Sequence, residues 1–264
     1  MNKLLSKRKL STIKLLLLSA FAISCRTSSQ HSITKITKSP TSFRWDESQP
    51  SNVYIPKIHD TYNHELFFPE RWRLPPYSCK GTQITSFARS RIQPYIHRFL
   101  RSYKPAFLRQ NLQSIYLMGT LHCQGYGRGG TYLYRSIYAT YNNTSLRYFL
   151  GLLHAEFSSI LFHRYAFPKE RWNNINPSNW TYLGKKYKLP PGSPHKASLL
   201  RLRMGLLTHY SQKSMEEDIN TYAHWHFVKR RNLKRLATTY RRIKLKYALL
   251  KNFYKEIDAL QHRK

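Results

Sequence analysis

The chain has 264 residues, and its 45 Lys and Arg against 12 Asp and Glu give a formal net charge of +33. Hydrophobic residues make up 41% and aromatic residues 14%, enough to build a core, which excludes a mostly disordered polycation. No apolar run approaches the roughly 18 residues of a spanning helix, which excludes a polytopic membrane protein. The charge indicates a polyanionic partner, either nucleic acid or an anionic membrane or polysaccharide surface.

The N-terminus has the pattern of a secretory signal. Basic residues lead into a short apolar segment over 15–23, which is too short to span a membrane and suits a signal h-region. The segment ends in Ala22-Ile23-Ser24-Cys25, a small-residue approach to cysteine typical of bacterial lipoproteins. We predict a signal peptide at 1–24, lipid on Cys25 and a polar tether over 25–50. An organellar transit peptide is the alternative, but such peptides are amphipathic, whereas this segment is apolar all round.

The first half of the body alternates irregular, helical and extended patterns. Prolines predict extended, irregular structure over 52–77. Apolar residues at three- to five-residue steps predict a helix over 82–104, and apolar runs predict strands over 111–119 and 131–140. The glycines between the two strands lack the Gly-Lys-Ser/Thr of a phosphate-binding loop, so we interpret them as a turn.

The second half reads as mainly helical. A broad apolar face predicts a helix over 145–165, and a long loop rich in Pro, Asn and Gly follows it. Two helices are predicted to close the chain. The last of them carries apolar residues at three- and four-residue steps over 233–254, with Lys and Arg on its outer face.

Two cysteines remain once Cys25 carries lipid. An even pair in an exported protein makes Cys79 and Cys123 a candidate disulfide. Two separate buried thiols are the equally weighted alternative.

Several motifs occur in a recognisable order. An aromatic-Arg-Trp-Asp signature lies at 43–46, and a strand ending in glycine at 117–119 precedes a glycine pair at 129–130. The predicted helix carries His154-Ala155-Glu156-Phe157-Ser158-Ser159-Ile160-Leu161, and Glu217-Asp218-Ile219-Asn220-Thr221 follows. In these motifs and in its closing helix at 243–258, the chain resembles the substrate import-associated zinc metallohydrolase lipoproteins of Bacteroidetes.

This resemblance implies a fold, a location and partners. The expected fold is α+β and zincin-like over 51–264, with a small mixed sheet, a motif-bearing helix and a C-terminal helical lobe. The expected location is the outer membrane, where lipid would anchor the chain. The expected partners are a TonB-dependent outer-membrane transporter and its substrate-binding lipoprotein.

The positions that bind zinc in this family are altered. In a zincin, two histidines one helical turn apart hold the metal, and the Glu beside the first activates a bound water. The resemblance places the three ligands at Ala155, Ser159 and Thr221, none of which is a zinc ligand. Only Glu156, the general-base position, is retained, and without a metal it has no activated water to deprotonate. We therefore expect a catalytically inactive accessory or binding protein without a cofactor.

Two alternatives stay open. An active zinc metallopeptidase could use non-standard ligands such as His154, His163 or the pair of His224 and His226. A basic organellar or ribosome-associated RNA-binding protein would account for the charge, since residues 71–155 contain no acid. In an outer-membrane setting the expected polyanions are lipopolysaccharide and anionic glycans, and nucleic acid is not expected.

Overall fold

The structure, a computed structural model, describes residues 54–184 and 198–260. The predicted signal peptide 1–24, the lipid-attachment residue Cys25, the tether 25–50 and the motif at 43–46 lie outside the described residues. These four assignments stay predictions.

Four strands form the main sheet: β1 (Lys57–His59), β3 (Ser114–Met118), β6 (Gly130–Leu133) and β7 (Ser136–Thr140). Their order is β1-β3-β7-β6, in which the first three are parallel and β6 runs antiparallel at the edge. The central strand β3 is almost continuously apolar because both of its faces are covered. The predicted small mixed sheet is thus confirmed.

The prediction of one strand over 131–140 is wrong in one respect, because this stretch forms the hairpin of β6 and β7. Tyr134 breaks the strand with a φ of 52°, and β6 turns back to pair with β7. The run Tyr132-Leu133-Tyr134 extends into the turn, and only Arg135 and Ser136 interrupt the apolar pattern there, so the signal for a turn is weak.

A second, three-stranded antiparallel sheet consists of β2 (Lys80–Gly81), β4 (Leu121–Cys123) and β5 (Tyr126–Gly127). Gly125, with a φ of 76°, lies in the tight turn between β4 and β5. The prediction of a single glycine-rich turn is otherwise wrong, because β4 and β5 occupy this stretch and Gly127 and Gly130 lie in strands. A disulfide joins Cys79 to Cys123, with the two Cα atoms 4.1 Å apart. Both cysteines are buried in a small apolar cluster with Phe67, Phe68, Met118, Leu121 and Tyr138.

In the part of the chain that the structure describes, four helices precede β3. Two one-turn helices, α1 (His64–Phe67) and α2 (Glu70–Arg73), occupy the stretch predicted to be irregular. The predicted helix over 82–104 is α3 (Ser86–Leu100), which begins where Thr85 accepts a hydrogen bond from the Ala88 N–H. The short helix α4 (Pro105–Asn111) was not predicted, although Pro105 supplies a favourable first residue.

The predicted helix over 145–165 is α5 (Leu146–Arg164). It packs on β6 and β7 of the main sheet, and on α3 from another side. Most of its length is buried because its apolar residues lie on several faces, which explains why the predicted apolar face is so broad.

The C-terminal lobe is helical, as predicted, but it contains more than the two expected helices. It consists of α6 (Lys169–Asn173), α7 (Leu199–Met204), a 3-10 turn at Tyr210–Gln212, α8 (Met215–Val228), α9 (Arg230–Thr239) and α10 (Arg241–Leu260). None of the helices within the described ranges is long and apolar enough to cross a membrane.

The single helix predicted over 233–254 is divided at Tyr240, which has an extended backbone with a φ of −115° and a ψ of 110°. Thr238 and Thr239 precede it, and both hydroxyls donate to the carbonyl of Arg235. Such side-chain bonds compete with the helical backbone pattern. The break lies in a stretch whose apolar spacing continues undisturbed, so periodicity does not show it.

A buried ion pair joins α8 to α10. Lys246 Nζ donates to Asp218 Oδ2 at 2.6 Å, and both side chains have no exposed surface. The same oxygen accepts from Trp172 Nε1 at 3.0 Å and from the Tyr182 hydroxyl at 2.9 Å. Burial raises the pKa of Asp218, and Lys246 acts against that rise. This network fixes the position of α8, which carries half of the candidate site.

Candidate functional site

The predicted site lies where α5 packs along α8. Ala155, Glu156 and Ser159 are on α5, and Thr221 is on α8. Asn220 Nδ2 donates a hydrogen bond of 2.7 Å to Ser159 Oγ, and both side chains are buried. The position expected to supply a second metal ligand is therefore occupied by a polar contact between the two helices.

The other two expected ligand positions carry none of the usual zinc ligands. Ala155 carries only a methyl group, and Thr221 Oγ1 donates to the carbonyl oxygen of Glu217 on its own helix at 2.7 Å. Zinc sites use three or four ligands drawn mainly from Cys, His, Asp and Glu. Among residues 54–184 and 198–260, no group of three such side chains is arranged to hold a metal ion. The residues at this site do not fit zinc.

Glu156 is half-buried against the edge strand β6. A Cβ at Gly130 would lie 3.1 Å from Glu156 Oε1, so the glycine leaves room for the carboxyl group. Burial raises the pKa of Glu156 well above its usual value, and the carboxylates of Glu217 and Glu216 raise it further.

Phenol and imidazole groups surround these carboxyl groups. The Tyr210 hydroxyl donates to Glu217 Oε1 at 2.6 Å. His163 Nε2 lies 3.4 Å from Glu216 Oε2, and its ring stacks on Tyr132 with centroids 5.7 Å apart. Burial, and then Glu216, raise the pKa of Tyr132, which therefore keeps its proton. The site is a hydrogen-bonded cluster of acids and phenols.

His154, considered as a replacement ligand, belongs to the core. It is buried, its Nδ1 is hydrogen-bonded to the Tyr103 hydroxyl at 2.8 Å, and its ring stacks on Phe227 at 3.9 Å between centroids. Burial lowers its pKa well below the usual value, so the imidazole is neutral. The His154 side chain, like that of Leu153, therefore lies in the core between the helices and not in the Glu156 cluster.

His224 and His226 point in different directions from α8, as expected for residues two apart on a helix. The ring of His224 lies against Gly151 on α5, where any side chain would collide with it. His226 Nδ1 is hydrogen-bonded to the Tyr247 hydroxyl on α10 at 3.0 Å. The two imidazoles therefore do not converge on one metal ion.

Sequence reasoning missed the roles of Tyr132, Tyr210 and Glu216 in this cluster. One signal was available: Glu216, Glu217 and Asp218 form an acidic run in a chain that is otherwise strongly basic. The tyrosines gave no such signal, because they come from β6 and the 3-10 turn and meet the run only in the folded chain.

The sequence matches no protein-family model, and no curated protein matches it. Among solved structures, the chain is similar to the crystal structure of a candidate zinc-binding metallo-peptidase from Bacteroides caccae. The two share 16% sequence identity with a TM-score of 0.48, and the similarity covers 77% of this chain and 80% of that one.

We expect Glu156→Gln to stabilise the protein at pH 8 and to leave its stability unchanged at pH 4. The pKa of Glu156 is raised in the folded state. When the pH rises above the ordinary pKa of a glutamate, the unfolded chain therefore releases a proton that the folded protein still holds. This difference in bound protons destabilises the folded state at high pH. Glutamine does not ionise, so the substitution removes the destabilisation. The expected gain in the free energy of unfolding at pH 8 is on the order of 1 kcal/mol, measured by urea denaturation.

Glu256→Gln is the matched control, because Glu256 is exposed on α10 and the change removes the same charge. Its free energy of unfolding should change equally little at both pH values. A Glu156→Gln variant that is destabilised at pH 8 would mean that the carboxylate is ionised and bound to a cation.

Proposed function

We propose that this chain is a catalytically inactive relative of the zinc metallohydrolases. In this proposal it is a lipoprotein, anchored at the outer membrane through Cys25, and acts as an accessory or binding component of a TonB-dependent nutrient-import system. Its partners would be the transporter and the transporter's substrate-binding lipoprotein. The family resemblance of the motifs supports the import role.

The hydrogen bond between Ser159 and Asn220 is the main support for the proposal that the chain is catalytically inactive. A zincin needs metal ligands at both ends of one helical turn, facing the third ligand on a neighbouring element. Here the two helices are joined at that place by a 2.7 Å contact between neutral side chains. The retained Glu156 has no metal-bound water to deprotonate, because the positions that would hold the metal lack zinc ligands.

The anchoring part rests on the N-terminal pattern and on the basic surface. The apolar segment before Cys25 has the length and ending of a lipoprotein signal. The disulfide between Cys79 and Cys123 is consistent with an exported protein, since such bonds persist in oxidising compartments. The net positive charge suits a body held near anionic lipopolysaccharide or glycans.

Native mass spectrometry of the protein purified from membranes tests both parts. We expect a chain that begins at Cys25, carries acyl mass, and retains well under one zinc ion after equilibration with zinc and desalting. A chain that retains stoichiometric zinc, and whose function is lost in Glu156→Gln, would instead be a metallohydrolase with other ligands. A chain that begins elsewhere without acyl mass would exclude the lipoprotein. The Cys25→Ser variant is the control for lipidation and should remain unprocessed.

A further inference from the structure

A basic cavity of about 710 Å³ opens where α8 meets α9. Its walls come from three separate parts of the chain: the end of α3, the start of α5 and the α8–α9 junction. Six of its lining residues are cationic, namely Arg98, Arg147, Lys229, Arg230, Arg231 and Lys234. The lining contains no carboxylate, and no residue of the Glu156 cluster contributes to it.

The positive charges in this cavity lack carboxylate partners in the part of the chain that the structure describes. Within residues 54–184 and 198–260, none of the six cations forms an ion pair with a carboxylate. Arg147 is held in place, since its Nε and Nη2 donate to the Val228 carbonyl at 3.2 and 2.7 Å. Lys229 is the next residue after Val228, and its Nζ lies 4.8 Å from the centre of the Trp225 ring. Burial, and then the charge of Arg147, lower the pKa of Lys229, so an anion bound between these two cations would relieve their repulsion.

The backbone adds to the positive field. Helix α9 is ten residues long and begins at Arg230, inside the cavity lining. Its N-cap residue Lys229 provides no side-chain cap, and the first N–H groups of a helix have no acceptor within the helix. The N-terminus of a helix favours negative charge and suits phosphate oxygens.

We propose that this cavity binds a ligand with several phosphate groups. Guanidinium groups match tetrahedral phosphate oxygens with paired N–H donors, and four of the six cations are arginines. The volume lies within the roughly 300–1,000 Å³ of small-molecule sites and exceeds the needs of one inorganic phosphate. The phosphates could belong to an anionic lipid headgroup or to a soluble oligophosphate. This assignment does not depend on the metal site or on lipidation.

Titration of the full-length chain with sodium tripolyphosphate tests the proposal. Trp225, which touches Lys229, is an internal fluorescence probe, and calorimetry gives the stoichiometry. At about 0.15 M NaCl, where long-range attraction is screened, we expect saturable binding of one ligand per chain. Citrate should bind about tenfold more weakly, because carboxylates do not match the tetrahedral donor set. Absence of saturable binding, or equal affinity for citrate, would overturn the proposal.

The variant R230Q/R231Q/K234Q removes three cations from the cavity, and R241Q/K244Q/K255Q removes three exposed cations from α10. The first should weaken tripolyphosphate binding at least about tenfold, and the second should change it less than about twofold. Equal loss in both variants would mean diffuse attraction and no site. Arg98→Gln on α3 provides a second variant, which should also weaken binding if the α9 variant does not fold.

Vesicles distinguish the two sources of phosphate. Binding to vesicles that contain phosphatidic acid, with displacement by tripolyphosphate and loss in the α9 variant, would assign the lipid headgroup. Tripolyphosphate binding without such vesicle binding would assign a soluble ligand.

Discussion

Replacing Asp218 with asparagine is expected to lower the free energy of unfolding by about 3–5 kcal/mol. The amide oxygen of the new side chain would still accept hydrogen bonds from Trp172 and Tyr182, so the change isolates the charge. It leaves the ammonium group of Lys246, which has no exposed surface, without its carboxylate partner. An unpaired buried charge must either lose its proton or bring water into the core. Urea denaturation at pH 7 measures the loss.

Two controls show whether burial of the pair is the cause. Asp258→Asn makes the same substitution in the exposed pair with Lys104, 2.7 Å away, and should cost less than about 1 kcal/mol. The double variant Asp218→Asn/Lys246→Met should lose much less than the sum of the single changes, because it removes both charges. Additive losses would contradict a direct pairing of the two residues.

Removing the disulfide is expected to lower the free energy of unfolding by about 2–4 kcal/mol. The bond closes a loop with a sequence separation of 44 residues, which restricts the unfolded chain. Both cysteines are buried in the apolar cluster that contains Phe67 and Phe68, and Cys79→Ala/Cys123→Ala places small apolar side chains there. Guanidinium denaturation of the double variant and of the parent protein measures the difference.

Reducing agent provides the matching control for the disulfide. The parent protein should lose the same stability in dithiothreitol as through the double substitution, whereas the double variant should not respond. A parent protein that is equally stable with and without reducing agent would show that the two thiols are free.

Local sequence patterns located α3, α5 and β3 well because these elements repeat apolar residues at a period that tertiary structure does not change. The same patterns did not predict which polar residues are buried. Lys246 occupies an apolar stripe of α10 between Ile243 and Leu250, and there the sequence predicted only outward-facing cations. Its partner Asp218 is on another helix. Only the packing of α8 on α10 supplies the carboxylate that compensates the buried charge of Lys246.

The sequence by itself determined the residue types at the positions where the family resemblance expects zinc ligands. Ala155, Ser159 and Thr221 are none of the usual zinc ligands Cys, His, Asp and Glu, whatever the fold. The apolar segment before Cys25 and the excess of cations are likewise properties of composition and order. They predicted export and a polyanionic partner without any contact being known.

Only the tertiary structure decided which distant groups meet. It brought Asn220 to Ser159, Lys246 to Asp218, and three cationic segments to one cavity. These contacts join residues far apart in the chain, and their energies depend on burial and distance, which no local pattern encodes. The division of the last predicted helix at Tyr240 has the same origin, because apolar spacing stays in phase across a break that places α9 and α10 separately.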